Sequence, residues 1–383
     1  IVATTRELLL NTIVVLKKIA TAIKDDDIRD MNDFYLSECY DQKLDYSQTV
    51  FDSQPWYQQE RGVETRRAVA ILAHFSKASN YLSEYIAGKA TLITKSDKEY
   101  ENYSVQMERF NAWEKKGHDY EILEMILEFV KTLLFIRRSH QFSGLITAIL
   151  MLLCNVQKQV GFTTRGVKYV AEIFKEIILA RPFFICFVPL IDVFICFVEF
   201  PAFNVKLCPS VNEKSGIETG KDYQYFKNNS CLLAVFMAQL MTFEIDEIMT
   251  IQLSHSMLSL VNRGFLLYNI SWPAETDVHN CRVSILSFTI KILYMCSKIN
   301  VTSMRKRLTD QPDGQIAKEL DADFWDKLQH RQFDALRSGI AFFSFLAKRE
   351  PEIIARAPDA DDLFQLFIQQ VTAVDGFSLH ESE

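Results

Sequence analysis

The feature that most constrains this chain is how rarely its sequence is punctuated. Only 12 glycines and 9 prolines occur in 383 residues. Sheet-rich folds need Gly, Pro and Asn turns at roughly 8–12 residue spacing, and long apolar-periodic stretches run here without them. A chain that turns so seldom is predicted to be built from helices. At this length a single core is near its upper limit. The choice lies between a few globular domains and one elongated array whose core grows by stacking.

Residues 4–24 place Leu8, Leu9, Ile13, Leu16, Ile19, Ala20 and Ile23 on one side at helical spacing. Asp25, Asp26 and Asp27 supply a break and a cap for a short helix through about Cys39. Val63 to Ile86 reads as one long helix stopped near Gly88, and 96–116 as a more polar one. His118 to Arg138 carries a broad apolar face. Residues 144–160 are apolar nearly all round, which predicts an inner helix. Thr163 and Thr164 cap a helix to about Ala180. Further helices are expected at 230–243, 245–263, 276–299 and 315–349, with Pro351 restarting a short one and Asp359 capping the last at 360–374. The expected organisation is an N-terminal stack over 1–200, a protruding loop at 201–229 and a middle stack over 230–300. A polar hinge at 301–314 and acidic C-terminal helices with a short tail over 315–383 complete it.

Charge is unevenly spread along this scaffold. Residues 308–383 hold 15 acidic against 7 basic residues, a balance of −8, which leaves 1–307 at +1. A near-neutral body argues against direct nucleic-acid binding, which needs a concentrated basic face. The compact basic run Arg305-Lys306-Arg307 reads as a solvated linker. Eight scattered cysteines, none in a CxxC pair, fit a reducing compartment, and a cytoplasmic or nuclear location is expected. The absence of a methionine before Ile1 predicts a piece of a longer polypeptide. The apolar stretch 182–200 is interrupted by Pro189 and Asp192, so a buried pair of helices is expected there ahead of a membrane span.

Tests for chemistry come back empty. Gly216 to Asp222 is one residue short of a phosphate loop and ends in Asp where a hydroxyl belongs. His279 and Cys281 make one close pair with no second pair at metal-binding spacing. The carboxylates at 321–326 and 359–362 lack the glycine and closing glutamate of a calcium loop, and they precede helical periodicity, so helix capping explains them better. No nucleophile elbow is present. No catalytic residue, cofactor or metal is expected. What stands out is aromatic content: 29 phenylalanines, dense at 183–203 and 324–367. Most must be core, and any that are exposed would mark an interface.

Helix lengths, alternating burial and short breaks over most of 1–374 resemble those of the armadillo/HEAT α-solenoid superfamily. The resemblance implies an all-α, right-handed superhelical stack of antiparallel helix pairs with degenerate repeats. It also implies a non-enzymatic scaffold or adaptor offering an extended surface to other proteins of a multi-subunit complex, as in a nuclear pore scaffold or a karyopherin-like transport factor. The residues favoured for protein binding are Phe197, Phe200 and Phe203 beside the 201–229 loop, and Trp272 in the Ser271-Trp272-Pro273 break. An alternative reading is a helical regulatory protein such as a guanine-nucleotide exchange factor acting on a small GTPase. A third is a peripheral membrane adaptor that uses 183–200.

Overall fold

Apolar residues at three- and four-residue spacing become helices throughout, and no strand forms among the described residues. The computed structural model describes residues 1–25, 50–57, 59–90, 120–136, 138–207, 232–242, 245–263, 281–310, 322–357 and 360–374. The all-α class expected from the sequence is the class observed. The chain divides into two units: Ile1–Lys43 with Gln48–Pro189 and Phe200–Lys206, and Leu44–Ser47 with Leu190–Glu199 and Leu207–Glu383. The expected helices at 25–39 and 96–116 lie outside the described residues.

The first unit opens with α1 (Val2–Asp25), whose Leu9, Ile13 and Leu16 are buried. It continues through α2 (Val63–Ala78), α3 (Asn80–Ile86), α4 (Glu121–Ile136) and a 3-10 turn at Ser139–Phe142. Then follow α5 (Ser143–Gln159), α6 (Thr164–Leu179) and a second 3-10 turn at Phe184–Cys186. Helix α1 packs on α4, and α4 on α6, while α2 packs on α5 and on α1. Ion pairs Arg6–Glu121 and Lys17–Glu128 join α1 and α4 with both partners advancing along the chain, so these two helices run in the same direction. As expected, α5 is the inner helix: Leu145, Ile146, Ile149, Leu152, Leu153 and Val156 have no exposed surface. Its buried Asn155 donates through Nδ2 to the Ala73 carbonyl at 2.8 Å, so this amide is satisfied within the core.

The single helix expected over Val63–Ile86 is two helices. Ser79 is extended (φ −130°, ψ 106°), and its hydroxyl accepts from the Leu82 N–H at 3.3 Å. Ser83 Oγ donates to the Ser76 carbonyl at 2.7 Å. Serine hydroxyls offer the backbone bonds that compete with a continuous helix, which apolar periodicity does not register. Gly88 ends α3 at φ 74°, and a Cβ there would sit 2.4 Å from Tyr120 Cε1. Both the left-handed backbone and the close approach require glycine.

Thr163 caps α6 as its sequence position suggests: its Oγ1 accepts from the Gly166 N–H at 3.1 Å and shares a 2.5 Å hydrogen bond with the Tyr120 hydroxyl. Thr163→Ala removes the cap and its hydrogen bond to that phenol. The variant should lose about 1–2 kcal/mol of stability, read from the urea midpoint, and Thr163→Ser should retain most of it.

The apolar stretch expected to fold as a helix pair is one short helix, α7 (Phe187–Phe197), led in by the 3-10 turn. Pro189 falls in its first turn, where a backbone donor has no intrahelical acceptor to lose. Pro201 likewise starts rather than stops a helix, α8 (Pro201–Leu207), so the expected loop 201–229 begins helical. Residues 208–229 lie outside the described residues. Among the described residues one stretch, Ser139–Gln159, is long and apolar enough to cross a membrane, and 83% of its 18-residue apolar window is buried within the protein.

The second unit contains α9 (Leu232–Thr242), α10 (Glu247–Val261), α11 (Cys281–Ser297), α12 (Val301–Asp310), α13 (Ala322–Arg349), α14 (Pro351–Arg356) and α15 (Ala360–Val371). Helix α11 is central and packs on α9, α10, α13 and α15. The expected hinge at 301–314 is a correction: its first ten residues form α12. Asn300 Oδ1 accepts from the Ser303 N–H at 2.8 Å, and Val301 and Met304 are buried. Two buried apolar anchors and a cap suffice for a helix whose other residues, Leu308 apart, are polar. Arg305 and Lys306 lie exposed on it, and Arg307 reaches Glu247 at 2.5 Å. Asp323 stands in the first turn of α13, where a carboxylate complements the helix dipole.

Candidate protein-interaction surface

The most elaborate polar arrangement in the first unit is fully interior. Arg66, on the buried stripe of α2, donates through Nη1 to Glu60 Oε1 at 3.1 Å and Oε2 at 3.0 Å. Its Nη2 donates to the carbonyls of Asp52 and Gln54 at 2.5 and 2.6 Å. The Trp56 N–H donates to Glu60 Oε2 at 2.5 Å, and the Trp56 ring lies 5.3 Å from the guanidinium. Gly144 on α5 adds a backbone bond to the carboxylate, and a Cβ there would stand 2.1 Å from Glu60 Oε1. Burial pushes the Glu60 carboxyl above its ordinary value; the Trp56 N–H, the Arg66 charge and the Gly144 N–H offset only part of that. With both side chains at 0% exposure, no ligand reaches the pair. Its chemistry is to tie the non-helical segment 50–61 to α2 and α5. Its one trace in the sequence is that Arg66 falls in step with Val69, Ala73 and Ser76 on the buried face of α2, and an arginine in that register signals a buried partner.

Thiols are equally withdrawn. Among the described residues Cys154, Cys186, Cys196 and Cys296 are buried and form no disulfide, and burial pushes Cys186 and Cys296 each up to about 12. Burial thereby disfavours the thiolate at those two positions. Among the described residues no three metal-ligating side chains gather.

The residues favoured from the sequence are not brought together at the surface. Phe197 and Phe203 have no exposed area. Phe203 packs against Phe174 with ring centroids 5.3 Å apart. Phe200 is half-buried. Trp272 lies outside the described residues. Dense aromatic runs are drawn inward because each ring removes a large apolar area from water.

The exposed apolar residues are elsewhere. Helix α1 presents Leu10 (53% exposed), Val14 (43%), Val15 (55%) and Ile19 (38%), and α4 presents Phe135 at 56%. An open groove of about 500 Å³ runs between α1 and α4, floored by Ala20 and Leu127 and edged by Lys17, Glu128, Lys131 and Phe135. In the second unit a more polar recess of about 380 Å³ is lined by Ser297, Asn300, Ser303, Gln329, Gln332 and Gln370. Gln332 Nε2 is already committed to the Cys296 and Ile299 carbonyls at 2.9 and 2.7 Å, closing the end of α11. The exposed residues of α1 leave no mark in the apolar period, because Leu10, Val14 and Val15 flank the buried stripe without interrupting it.

A family model described as the ATRIP middle domain matches residues 1–208, ending two residues beyond the last segment of the first unit. No curated protein and no solved structure matches the chain.

Proposed function

Because the chain belongs to the ATRIP middle-domain family, whose model covers more than half of it, we propose that it is an adaptor that holds other proteins in a nuclear DNA damage checkpoint complex. The family match over residues 1–208 carries this reading. It favours a checkpoint assembly over the pore or transport assemblies expected from the helix pattern. The buried thiols and the enclosed Glu60–Arg66 pair fit a protein that works by contact rather than by catalysis. The way α1, α4 and α6 pack in succession while α2 packs on α5 supports the armadillo/HEAT-like stacking proposed here for the first unit. Under this reading the exposed apolar residues of α1 and α4 and the half-buried Phe200 are the contact candidates.

The test is an affinity capture with the 383-residue chain as bait in nuclear extract, at low and high salt, with partners identified by mass spectrometry. Stoichiometric, salt-resistant recovery of DNA damage checkpoint proteins is the expected result. Recovery of pore or transport proteins in their place, or of nothing above a scrambled-surface control, overturns the reading.

A further inference from the structure

The polar recess of the second unit gathers hydrogen-bonding groups that the fold itself leaves unused. It forms where α11 ends and α12 begins, with α13 and the turn after α15 completing its wall. Gln332, only 1% exposed, lies at its base. Both Nε2 hydrogens of this side chain are spent on the Cys296 and Ile299 carbonyls, which fixes the plane of the amide. Among the described residues its Oε1 accepts nothing, yet that oxygen is not sealed away from the recess. A carbonyl oxygen held in one direction and almost withdrawn from water calls for a donor.

The ten-residue helix α12 starts one residue beyond the Ile299 carbonyl, on the same lining. Asn300 Oδ1 occupies the Ser303 N–H. The N–H groups of Val301 and Thr302 donate to nothing among the described residues. The hydroxyls of Thr302 and Ser303, both exposed, are equally unengaged there. Open N–H groups at a helix start favour carboxylates and other anions. Lys298 is the one charged residue on the described lining, and its ammonium lies 3.9 Å from the Tyr294 ring centroid. The sign of the recess is therefore positive.

These two groups set different demands. The start of α12 suits an anion, whereas Gln332 Oε1 repels one and suits an N–H. A carboxylate with an N–H a few bonds away meets both, and the end of a polypeptide has that pattern. We propose that the recess binds the C-terminal residue of a partner polypeptide. Its carboxylate is received by the Val301 and Thr302 N–H groups and the neighbouring hydroxyls, and its last amide N–H donates to Gln332 Oε1. Capture of a terminal carboxylate by main-chain N–H groups is a recurrent mode of recognition. The volume of about 380 Å³ falls at the small end of the ~300–1,000 Å³ typical of ligand sites, and Phe333 and Val374 give the terminal side chain an apolar wall. The site lies wholly in the second unit, beyond the residues of the family match, so it stands apart from the checkpoint reading.

A random hexapeptide library, made once with free C-terminal carboxylates and once as C-terminal amides, tests this on the immobilised 383-residue chain. Retention from the free-acid library alone is the expected result. Remade singly as fluorescent probes, the retained peptides should bind about tenfold or more weakly when amidated, and again when the last amide is N-methylated. Thr302→Ala/Ser303→Ala, at two exposed positions, should weaken the unmodified probes with circular dichroism unchanged. Ala373→Phe, which sets a ring into the recess from an exposed position, should abolish their binding. Equal retention from the two libraries, or none from either, overturns the proposal. So does free-acid binding that ignores both variants, or binding that N-methylation of the last amide leaves unchanged.

Discussion

Replacing Arg66 with methionine should cost the first unit about 3–5 kcal/mol at neutral pH, the largest loss expected from any single substitution described above. Methionine fills much of the same volume but leaves the Glu60 carboxylate inside with only the Trp56 and Gly144 N–H groups. The carbonyls of Asp52 and Gln54 lose their donor as well. The penalty should depend on pH in a definite sense. Glu60 already titrates above its ordinary value because burial disfavours its charge. Stability tied to its protonated form is present in full below the unfolded carboxyl value and is lost as pH rises through the folded one. Without the guanidinium the folded value climbs further. The Arg66→Met penalty should therefore be greatest at neutral pH and shrink on acidification through the carboxylate range. Urea midpoints from pH 4 to pH 7 would measure it. Adding Glu60→Gln should return part of the loss, since no charge is then stranded. A penalty that stays flat with pH would mean that the carboxylate is not what Arg66 serves.

Phe203→Ala carries the second large effect. The ring is fully buried against Phe174, and emptying such a site costs about 3–5 kcal/mol in lost burial and cavity. Phe200→Ala, three residues earlier and half-buried, should change stability by less than about 1 kcal/mol. Thermal unfolding of the two variants separates a core residue from a surface one, and the affinity capture adds the functional half. If Phe200→Ala lowers partner recovery at normal stability, that side chain touches a partner. If Phe203→Ala unfolds no more readily than the parent, the packing described for α6 and α8 is wrong.

Periodicity was a good guide where one physical rule dominates. Thr163 and Gly88 mark the start and stop of helices and the all-apolar 144–160 marks the interior, because capping, backbone sterics and burial leave few alternatives there. The reading failed where two rules compete. At Ser79 a side-chain hydroxyl outbids the helix ladder in a stretch that counts as helical by its apolar residues. At 301–310 polar composition hid a helix that needs only Val301 and Met304 to hold it. Pro189 and Pro201 look like breaks in the sequence because their position within a helix, which decides whether a missing N–H matters, is invisible until the helix start is known. The interaction surface was the least legible part. Phenylalanine density marked core, and the exposed residues of α1 are ordinary aliphatics whose meaning depends on which side the neighbouring helices cover.

The polar contacts inside the first unit also act as a ruler. Helix α2 is fastened at Arg66 and again at the Ala73 carbonyl, seven residues on. Helix α5 is fastened at Gly144 and again at Asn155, eleven residues on. One residue inserted between either pair of marks turns everything beyond it by about 100° and shifts it by about 1.5 Å. It would pull an amide from its carbonyl or a carboxylate from its guanidinium. Length variation among members of this family should therefore be absent from 66–73 and 144–155, and the measured distance between the marks should be the same in every one of them.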